Sequence, residues 1–397
     1  MKAPKFLLAG LLAFSALGVA QAQTVIHITG STAYRSAVHE AITNFLSPGF
    51  TYGYSGTTFT KAGQAIFFGE NAGISVVIKT SWSGSLAGVE TVSQAIPGAA
   101  VSTFLVNSTP HSTAGTPSAP AVYDPPTIPE VAMEDGEQAT TQFPHPALTQ
   151  VQVGVVGFKF VVNTNGSTIG LTNITPLLAR ALWTAGQLPL SMFNGNPSST
   201  TPVYALGRDW DSGTRNCAFL ETGVQSFVSS LSPTAVKQWE PLNASGAVVS
   251  GSNPGPITHQ VLWPCETIDY ITECDGDGGY GSGGDLAAAM SASSPNIYVA
   301  YLGLSDASTV ETALGITVDL NYNGWGYSQN AVENGQYTFW CYEYLDYLPS
   351  LATISPNAYV VANNLATAIA NENLASVGVN LPLMNVTRQQ EGGPVIP

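Results

Sequence analysis

Short apolar runs of strand length alternate along the chain with longer stretches of helical periodicity. Residues 24–28 form an apolar run that leads into a Gly-Ser-Thr turn at residues 30–32, and residues 33–46 follow with apolar side chains at helical spacing. Residues 74–80 lead in the same way through a Ser-Gly-Ser turn into a second helical stretch. Each unit predicts a strand, a turn of small residues and a helix, the order typical of α/β proteins.

The alternation of strand-length apolar runs and helical stretches continues through the second half of the chain. Residues 151–162 form a β-branched run that predicts a buried strand. No repeat of fixed period occurs, which argues against solenoids and propellers. The remaining predicted elements are strands at residues 203–206 and 297–302 and helices at residues 174–185, 214–231, 285–291 and 356–373.

Residues 97–129 interrupt this pattern. They are rich in Pro, Ala, Thr and Ser, and no Lys or Arg occurs from residue 80 to residue 158. A stretch of this length without periodicity predicts a long insertion on the surface.

The first 22 residues have the composition of a secretion signal. Lys2 and Lys5 give a positive start, residues 6–20 are apolar, and Ala20-Gln21-Ala22 is a small-residue cleavage site. No later apolar stretch reaches the length that a membrane-spanning helix needs. We therefore expect the signal peptide to be removed and the mature chain to be periplasmic or secreted.

The charge balance excludes several classes of partner. The chain carries 11 Lys and Arg against 26 Asp and Glu, a formal net charge of −15. Nucleic-acid binding and polybasic membrane anchoring both need clustered basic side chains, so both are excluded. An anionic ligand remains compatible with this charge, because backbone N–H groups and hydroxyls can hold an anion without a basic surface.

Four cysteines fit an oxidising compartment and leave their pairing open. Three pairings are possible, and the short loop between residues 265 and 274 is one that a disulfide could close. No cysteine lies in a C-x-x-C pair and the five histidines show no metal-ligand spacing, so we predict neither a metal nor a cofactor. The cysteines are Cys217, Cys265, Cys274 and Cys341.

The strongest local signal for a ligand site lies between a predicted strand and the helix after it. Ser212 and Thr214 supply hydroxyls, Gly213 allows a close backbone approach, and the first N–H groups of a helix are unpaired. Arg208 can add a charge-assisted contact to an oxyanion. The simpler alternative is that Ser212 or Asp211 caps the helix beside a surface arginine.

Two earlier turns, at residues 30–32 and 84–85, have the same chemistry. One turn of this kind is ordinary helix capping, whereas three predict helix N-termini that converge on a small anion. In order along the chain, these turns and the segment Ala-Met-Glu-Asp at residues 132–135 resemble the motifs of the periplasmic phosphate-binding proteins that serve ABC importers.

This resemblance implies an α/β chain with the two-lobed type II periplasmic-binding fold, in which each lobe is a mixed sheet flanked by helices. Residues 23–160, with the insertion at about 97–129, and residues 297–397 would form lobe 1, and residues 161–296 would form lobe 2. An oxyanion, above all phosphate, would bind between the lobes. The implied ligand-binding residues are Ser31, Thr32, Ala33, Ser85, Asp135, Arg208, Ser212, Gly213 and Thr214.

The resemblance also assigns Asp135 a selective role. An ionised carboxylate only accepts hydrogen bonds, so it favours monohydrogen phosphate, which still carries a proton, over sulfate. Glu134 departs from the family pattern and adds a second carboxylate near the anion site. Arg208 is expected to be the only full positive charge in the cleft, since Lys159 and Arg215 should point elsewhere.

The predicted function is that of an exported solute-binding protein, not an enzyme, that captures an oxyanion for an ABC importer. Its partners would be phosphate or a related anion and the membrane subunits of the importer, and it would act as a monomer. One alternative is a secreted phosphatase-like hydrolase, because Ser212 or Thr32 with a histidine could form a nucleophilic site. Another is a surface protein that keeps the fold without a ligand.

The aromatic-rich residues 322–347 are a further candidate for ligand contact. Their rings could stack a sugar, although this density of aromatic side chains favours packing in the core.

Overall fold

The computed structural model describes residues 23–95, 98, 101–224, 236–264 and 276–397. The strands are β1 (Thr24–Gly30), β2 (Thr51–Ser55), β3 (Gln64–Asn71), β4 (Ile74–Ser81), β5 (Thr116–Ser118), β6 (Val131–Asp135), β7 (Thr149–Val162), β8 (Asn173–Ile174), β9 (Gln187–Pro189), β10 (Pro202–Ala205), β11 (Trp239–Leu242), β12 (His259–Leu262), β13 (Ile297–Gly303), β14 (Asn321–Tyr322), β15 (Trp340–Tyr347), β16 (Gly378–Val379), β17 (Thr387–Arg388) and β18 (Val395–Ile396).

Helices connect most of these strands. The α-helices are α1 (Arg35–Phe45), α2 (Ser85–Ser93), α3 (Gly166–Ile169), α4 (Pro176–Ala185), α5 (Ser191–Asn194), α6 (Gly213–Thr222), α7 (Gly283–Ser291), α8 (Leu304–Leu314), α9 (Gln329–Glu333), α10 (Leu351–Ile354) and α11 (Pro356–Ala370). Short 3-10 helices occupy Phe59–Lys61, Gln138–Thr140, Leu374–Ser376 and Leu381–Leu383. None of the helices in the described part of the chain has both the length and the hydropathy that crossing a membrane requires.

The centre of the molecule is a mixed 12-stranded sheet. Its strand order is β5-β2-β3-β4-β1-β6-β15-β7-β13-β10-β9, and β16 also pairs with β7. β1 is parallel to both β4 and β6, whereas β15 is antiparallel to β6 and β7. The predicted α/β class, with a mixed sheet flanked by helices, is confirmed.

β7 is the long strand that joins the two ends of this sheet. Its first part pairs with β15 and its last part with β13, where Phe160 lies opposite Tyr301. The two chain crossings between lobes were predicted near Phe160 and Ile297, and both positions lie on this β7–β13 pair. The lobe boundaries themselves stay a prediction.

Alternating side chains of the central strands pack against helices on both faces of the sheet. Val131 and Met133 of β6 join the core that contains α1 and α11, whereas Ala132 packs with α2. On β13, Val299 and Tyr301 join the main core, while the alternate residues Tyr298, Ala300 and Leu302 pack with α7 and α8. Burial on both faces explains why these strands read as continuous apolar runs in the sequence.

The insertion around residues 97–129 is only partly on the surface, contrary to the sequence prediction. Phe104 and Leu105 are fully buried, and β5 extends the sheet by pairing in parallel with β2. Isolated bridges at Ser102 and Leu105 hold the segment to residues further along the insertion. The strand contacts of the insertion are irregular and join residues distant in the chain, so no short-range periodicity in the sequence predicts them.

Most predicted helices begin or end within a few residues of the observed ones. α1 begins at Arg35 instead of residue 33, because the Ser31 hydroxyl accepts the Tyr34 N–H at 3.1 Å and residues 32–34 form a turn. α6 ends at Thr222, and the rest of the helix predicted at residues 214–231 lies partly outside the described residues. The central strand β15 and helix α8 were not predicted.

A disulfide joins Cys217 of α6 to Cys341 of β15. This disulfide is compatible with a second one between Cys265 and Cys274. Those two cysteines lie outside the described residues, and so does the predicted signal peptide at residues 1–22.

Candidate functional site

Three strand-to-helix turns meet at one edge of the central sheet. β1, β4 and β6 are parallel, so their carboxyl ends lie side by side. The Gly84 N–H donates to the Gly30 carbonyl at 3.0 Å, which joins the first two turns. The Leu86 N–H donates to the Asp211 carbonyl at 3.0 Å, which brings the third turn against the start of α2. The convergence predicted from the sequence is therefore present in the fold.

Asp135, at the end of β6, lies where these turns meet and is 1% exposed. The Ser31 hydroxyl donates to Asp135 Oδ1, and the Thr214 hydroxyl donates to Oδ2 at 3.3 Å. The Asp135 backbone N–H donates to Ser85 Oγ at 3.2 Å. Three of the predicted hydroxyl residues are thus bound to one aspartate, and both carboxylate oxygens accept from the protein itself.

Gly213 makes this arrangement sterically possible. A Cβ built on Gly213 would lie 2.5 Å from Ser85 Oγ and 2.7 Å from Asp135 Cβ. Any side chain at this position would separate α6 from α2 and β6, because real Cβ contacts are longer than this. The glycine that the sequence suggested for close approach to a ligand therefore also allows close approach of the turns to each other.

A second carboxyl group faces Asp135 from the neighbouring strand. Glu343 of β15 is the register partner of Asp135 and is fully buried. Burial raises the pKa of Glu343 well above its ordinary value, and the charge of Asp135 and a hydrogen bond to it raise the pKa further. Two carboxyl groups thus lie side by side in the interior, where burial disfavours a second negative charge.

Glu134 lies on the other side of the strand from Asp135, because successive strand residues point to opposite faces. Gln150 donates to Glu134 Oε2 at 2.9 Å and to Asp346 Oδ2 at 3.3 Å. Burial is the main cause that raises the pKa of the Glu134 and Asp346 carboxyl groups, and the pKa of Asp346 rises to about 6. The side chain of Glu134 therefore points away from that of Asp135, although the charge of Asp135 is among the causes that raise the pKa of Glu134. The effect of Glu134 on anion binding stays a prediction.

Arg208 is 2% exposed and is held by backbone carbonyls. Its Nε donates to the Tyr280 carbonyl at 2.8 Å and its Nη2 to the Gly281 carbonyl at 3.0 Å. These bonds fix the guanidinium beside the N-terminus of α7. A Cβ on Gly283 would lie 2.1 Å from Asp306 Oδ2 and 3.6 Å from Arg208 Nη1, so Arg208 and Asp306 of α8 flank the same glycine.

Ser212 caps α6, as the simpler interpretation of its motif predicted. Its Oγ accepts the Arg215 N–H at 3.2 Å. The Arg215 guanidinium forms an ion pair with Asp277 at 2.6 Å and lies 4.6 Å from the centre of the Trp210 ring. The Arg215 guanidinium is thus engaged by Asp277, by the Trp210 ring and by the Arg208 carbonyl within the third turn.

Thr32 and Ala33 lie beside the start of α8. A Cβ built on Gly303 would come within 3.2 Å of Ala33 Cβ. Thr32 lines a cavity of about 180 Å³, called here the Thr32 cavity, whose wall also contains Arg35, Lys61 and Ser305. The expectation that Arg208 is the only positive charge in the cleft is therefore wrong.

Sequence reasoning missed both Arg35 and Lys61. Arg35 stands three residues after Thr32, in the first turn of α1, and that spacing is a signal that the sequence offered. Lys61 ends a short 3-10 helix far from the motifs, and only the fold brings it there.

Charges of both signs lie beside Thr32. Asp306 is buried, and burial raises the pKa of its carboxyl, while the charges of Arg35, Arg208 and Lys61 act in the opposite direction. The charge of Asp285 acts on Asp306 in the same direction as burial, and the Glu40 carboxylate also lines the Thr32 cavity. The three cations nonetheless give an anionic ligand charged groups with which to pair.

The two histidines closest in sequence to the turns are engaged elsewhere. His39 is fully buried, with Nδ1 at 3.1 Å from the Phe59 carbonyl and Nε2 at 3.0 Å from Thr80 Oγ1. Burial is the main cause that lowers the pKa of His39 to about 3. His27 lies 3.0 Å from the Glu130 carboxylate. Within the described ranges, no group of three or more His, Cys, Asp or Glu could hold a metal ion.

No protein-family model matches the sequence, and a search of curated proteins finds no match. Solved structures that match include a phosphate ABC transporter substrate-binding protein with bound phosphate from Clostridium perfringens, at 13% identity and a TM-score of 0.47 over 88% of this chain and 94% of that one. An ABC-type phosphate transport receptor from Vibrio cholerae matches at 12% identity and a TM-score of 0.45, over 87% of this chain and 94% of that one.

PstS from Borrelia burgdorferi matches at 11% identity and a TM-score of 0.39, over 86% of this chain and 92% of that one.

Proposed function

We propose that this protein is an exported solute-binding protein that captures an oxyanion, phosphate above all, between two lobes and presents it to an ABC importer. The observation that carries the proposal is the convergence of three strand-to-helix turns on Asp135, next to the cations that surround Asp306. Ser31, Ser85 and Thr214 reach Asp135 from three different elements. Ordinary capping would satisfy each helix locally and would not bring the turns together.

The chemistry of the surrounding groups supports an anion over a neutral or cationic solute. Arg35 and Lys61 line the cavity beside Thr32, and the charge of Arg208 acts on Asp306. Arg208 is buried and Arg35 is half-buried, so both lose hydration, and an anion that pairs with them binds with a gain in free energy. Uncharged hydroxyls at Thr32 and Ser305 would add directional hydrogen bonds.

Calorimetric titration of the mature protein with phosphate, arsenate and sulfate tests the proposal. We expect phosphate and arsenate to bind and sulfate to bind less tightly. Arg208→Ala should weaken phosphate binding by about 2–4 kcal/mol, the range for removing one partner of a buried charge pair. Arg180→Ala is the control, because Arg180 is an exposed arginine of α4. Equal phosphate affinity in the two variants would remove Arg208 from the site.

A surface protein that keeps the fold without a ligand is the second candidate. It is supported by the carboxylate of Asp135, which accepts hydrogen bonds from the protein's own Ser31 and Thr214. This candidate predicts that no oxyanion gives a heat of binding and that none raises the melting temperature. Saturable binding of phosphate would exclude it.

A further inference from the structure

Helix α6 is fastened along its whole length to elements that the predicted division assigns to lobe 1. Its first turn meets α2 and β6 at Gly213, and its middle is joined to β15 by the disulfide between Cys217 and Cys341. Near its end, Glu221 forms a buried ion pair with Arg388 at 2.8 Å. The helix itself lies within residues 161–296, the range predicted for lobe 2.

The contacts at the end of α6 are as close as those at its start. The Glu221 carboxylate also accepts a hydrogen bond from the Thr338 hydroxyl. A Cβ built on Gly392 would lie 2.5 Å from the backbone of Leu220, so the C-terminal segment packs directly on the helix. Lobe 1 therefore holds both ends of α6 with buried groups.

The same helix is held to lobe 2 on its other side. The Arg215 guanidinium pairs with Asp277 at 2.6 Å and donates to the Arg208 carbonyl at 3.0 Å. Helix α4 also packs against α6. Closure of two lobes around a ligand is a rotation about a few hinge residues. A helix fixed to both lobes allows such a rotation only if one set of its contacts breaks.

The disulfide is the contact in this set that thermal motion does not break. The Cα atoms of Cys217 and Cys341 are 6.4 Å apart, and a disulfide cannot bridge Cα atoms that are more than about 7 Å apart. While the bond is intact, α6 and β15 can therefore separate by less than about 1 Å. Both cysteines are 1% exposed, so a reductant does not reach the bond while α6 stays in place.

We propose that the disulfide between Cys217 and Cys341 is a covalent lock that keeps the cleft between the lobes closed at α6. Cys217 lies one helical turn after Thr214, so the bond fixes the N-terminus of the helix that faces Asp135. Solute then enters and leaves the locked protein slowly, and faster when the bond is absent. This inference rests on the two-lobed form of the proposed function and adds how its cleft is controlled.

The double variant Cys217→Ser/Cys341→Ser removes the lock and leaves Cys265 and Cys274 unchanged. Small-angle X-ray scattering without ligand should give a larger radius of gyration for this variant than for the wild type. Amide hydrogen exchange of residues 131–135 and 213–222 should be at least about 10-fold faster, because the open form becomes a minor state of about 0.1–10%. Added phosphate should contract the variant and leave the dimensions of the wild type unchanged.

Loss of a disulfide also lowers global stability, so the comparison needs a matched control. Leu182→Ala creates a cavity in the fully buried core of α4 and keeps the lock. Its radius of gyration should equal that of the wild type, and its exchange should rise no more at residues 131–135 and 213–222 than elsewhere in the core. If the serine variant does not fold, Cys217→Ala/Cys341→Val gives the buried site apolar side chains and is measured in its place.

The failure of this inference differs from the failure of the proposed function. If the unlocked variant and the wild type have equal dimensions and equal exchange, the lock is overturned, whether or not phosphate binds. If phosphate contracts the wild type, its cleft opens with the bond intact and the lock is again overturned. If the variant expands and exchanges faster but phosphate binds to neither protein, the lock stands and the oxyanion function fails.

Discussion

Gly213→Ala adds one methyl group at the point where the three turns meet. The added Cβ would lie 2.5 Å from Ser85 Oγ and 2.7 Å from Asp135 Cβ, and ordinary contacts of this type are about 1 Å longer. Neither neighbour is the free end of a long side chain. Asp135 is held by Ser31 and Thr214.

The expected loss of stability follows from this overlap. Overpacking of a filled interior costs about 1–3 kcal/mol. Displacement of Ser85 would also weaken its 3.2 Å bond from the Asp135 N–H, which adds about 1 kcal/mol. We therefore expect Gly213→Ala to lower the free energy of unfolding by about 2–4 kcal/mol. Anion affinity should fall as well, because α6 moves away from α2 and β6.

Gly284→Ala is the matched control. Gly284 also lies in the first turn of a helix, α7, and an added Cβ there would lie 3.8 Å from Ser282 Oγ, an ordinary contact distance. Without overlap, replacement of a helical glycine by alanine stabilises by up to about 1 kcal/mol.

Urea unfolding followed by circular dichroism measures both variants. If Gly213→Ala unfolds at the same urea concentration as Gly284→Ala, or binds phosphate as the wild type does, the close contact of the turns does not exist in solution.

Three further predictions concern pH, the ligand and the disulfide. Burial raises the pKa of Glu391 from its ordinary 4.5 to about 8. The folded state therefore binds this proton more tightly than the unfolded state does. The contribution of Glu391 to stability is full below pH 4.5 and falls by about 1.4 kcal/mol per pH unit toward pH 8. Glu391→Gln should lower the slope of stability against pH in urea unfolding by the share of one proton, because the buried carboxyls of Glu134, Glu343 and Asp346 also have a raised pKa and keep the rest. The exposed Glu70→Gln should leave the slope unchanged. Asp135→Asn replaces an acceptor by a group that can also donate, so the ratio of sulfate to phosphate affinity in calorimetry should rise; an unchanged ratio would refute a role for Asp135 in anion choice. Cys217 and Cys341 are 124 positions apart, and their replacement by serine opens the loop that the disulfide closes. The free energy of unfolding should then fall by about 4–5 kcal/mol on the chain-entropy estimate. An unchanged midpoint of urea unfolding would contradict this prediction.

The local chemistry of the turns could be predicted from the sequence. Gly-Ser-Thr at residues 30–32, Gly84-Ser85 and Ser212-Gly213-Thr214 mark places where a strand enters a helix. Helix starts depend on neighbours within a few residues, so Ser212 was correctly foreseen as a possible cap and α6 begins beside it. The apolar runs likewise predicted β1, β4, β7 and β13, because burial on a strand has a short period.

The partners across the sheet were decided by the tertiary structure. Ser31 and Asp135 are 104 positions apart, and Glu343 meets Asp135 only because β15 lies between β6 and β7. The sequence placed Glu134 next to Asp135, whereas strand geometry turns the Glu134 side chain to the opposite face of the sheet.

The Thr32 cavity shows the same limit for function. Lys61 and Ser305 are far from Thr32 and from each other in the chain, and neither belongs to a recognisable motif. A motif records contacts between residues that are near in sequence, whereas a groove is formed by the packing of distant elements. Short-range patterning thus determined which turns could hold an anion, and long-range packing decided which cations and hydroxyls stand beside them.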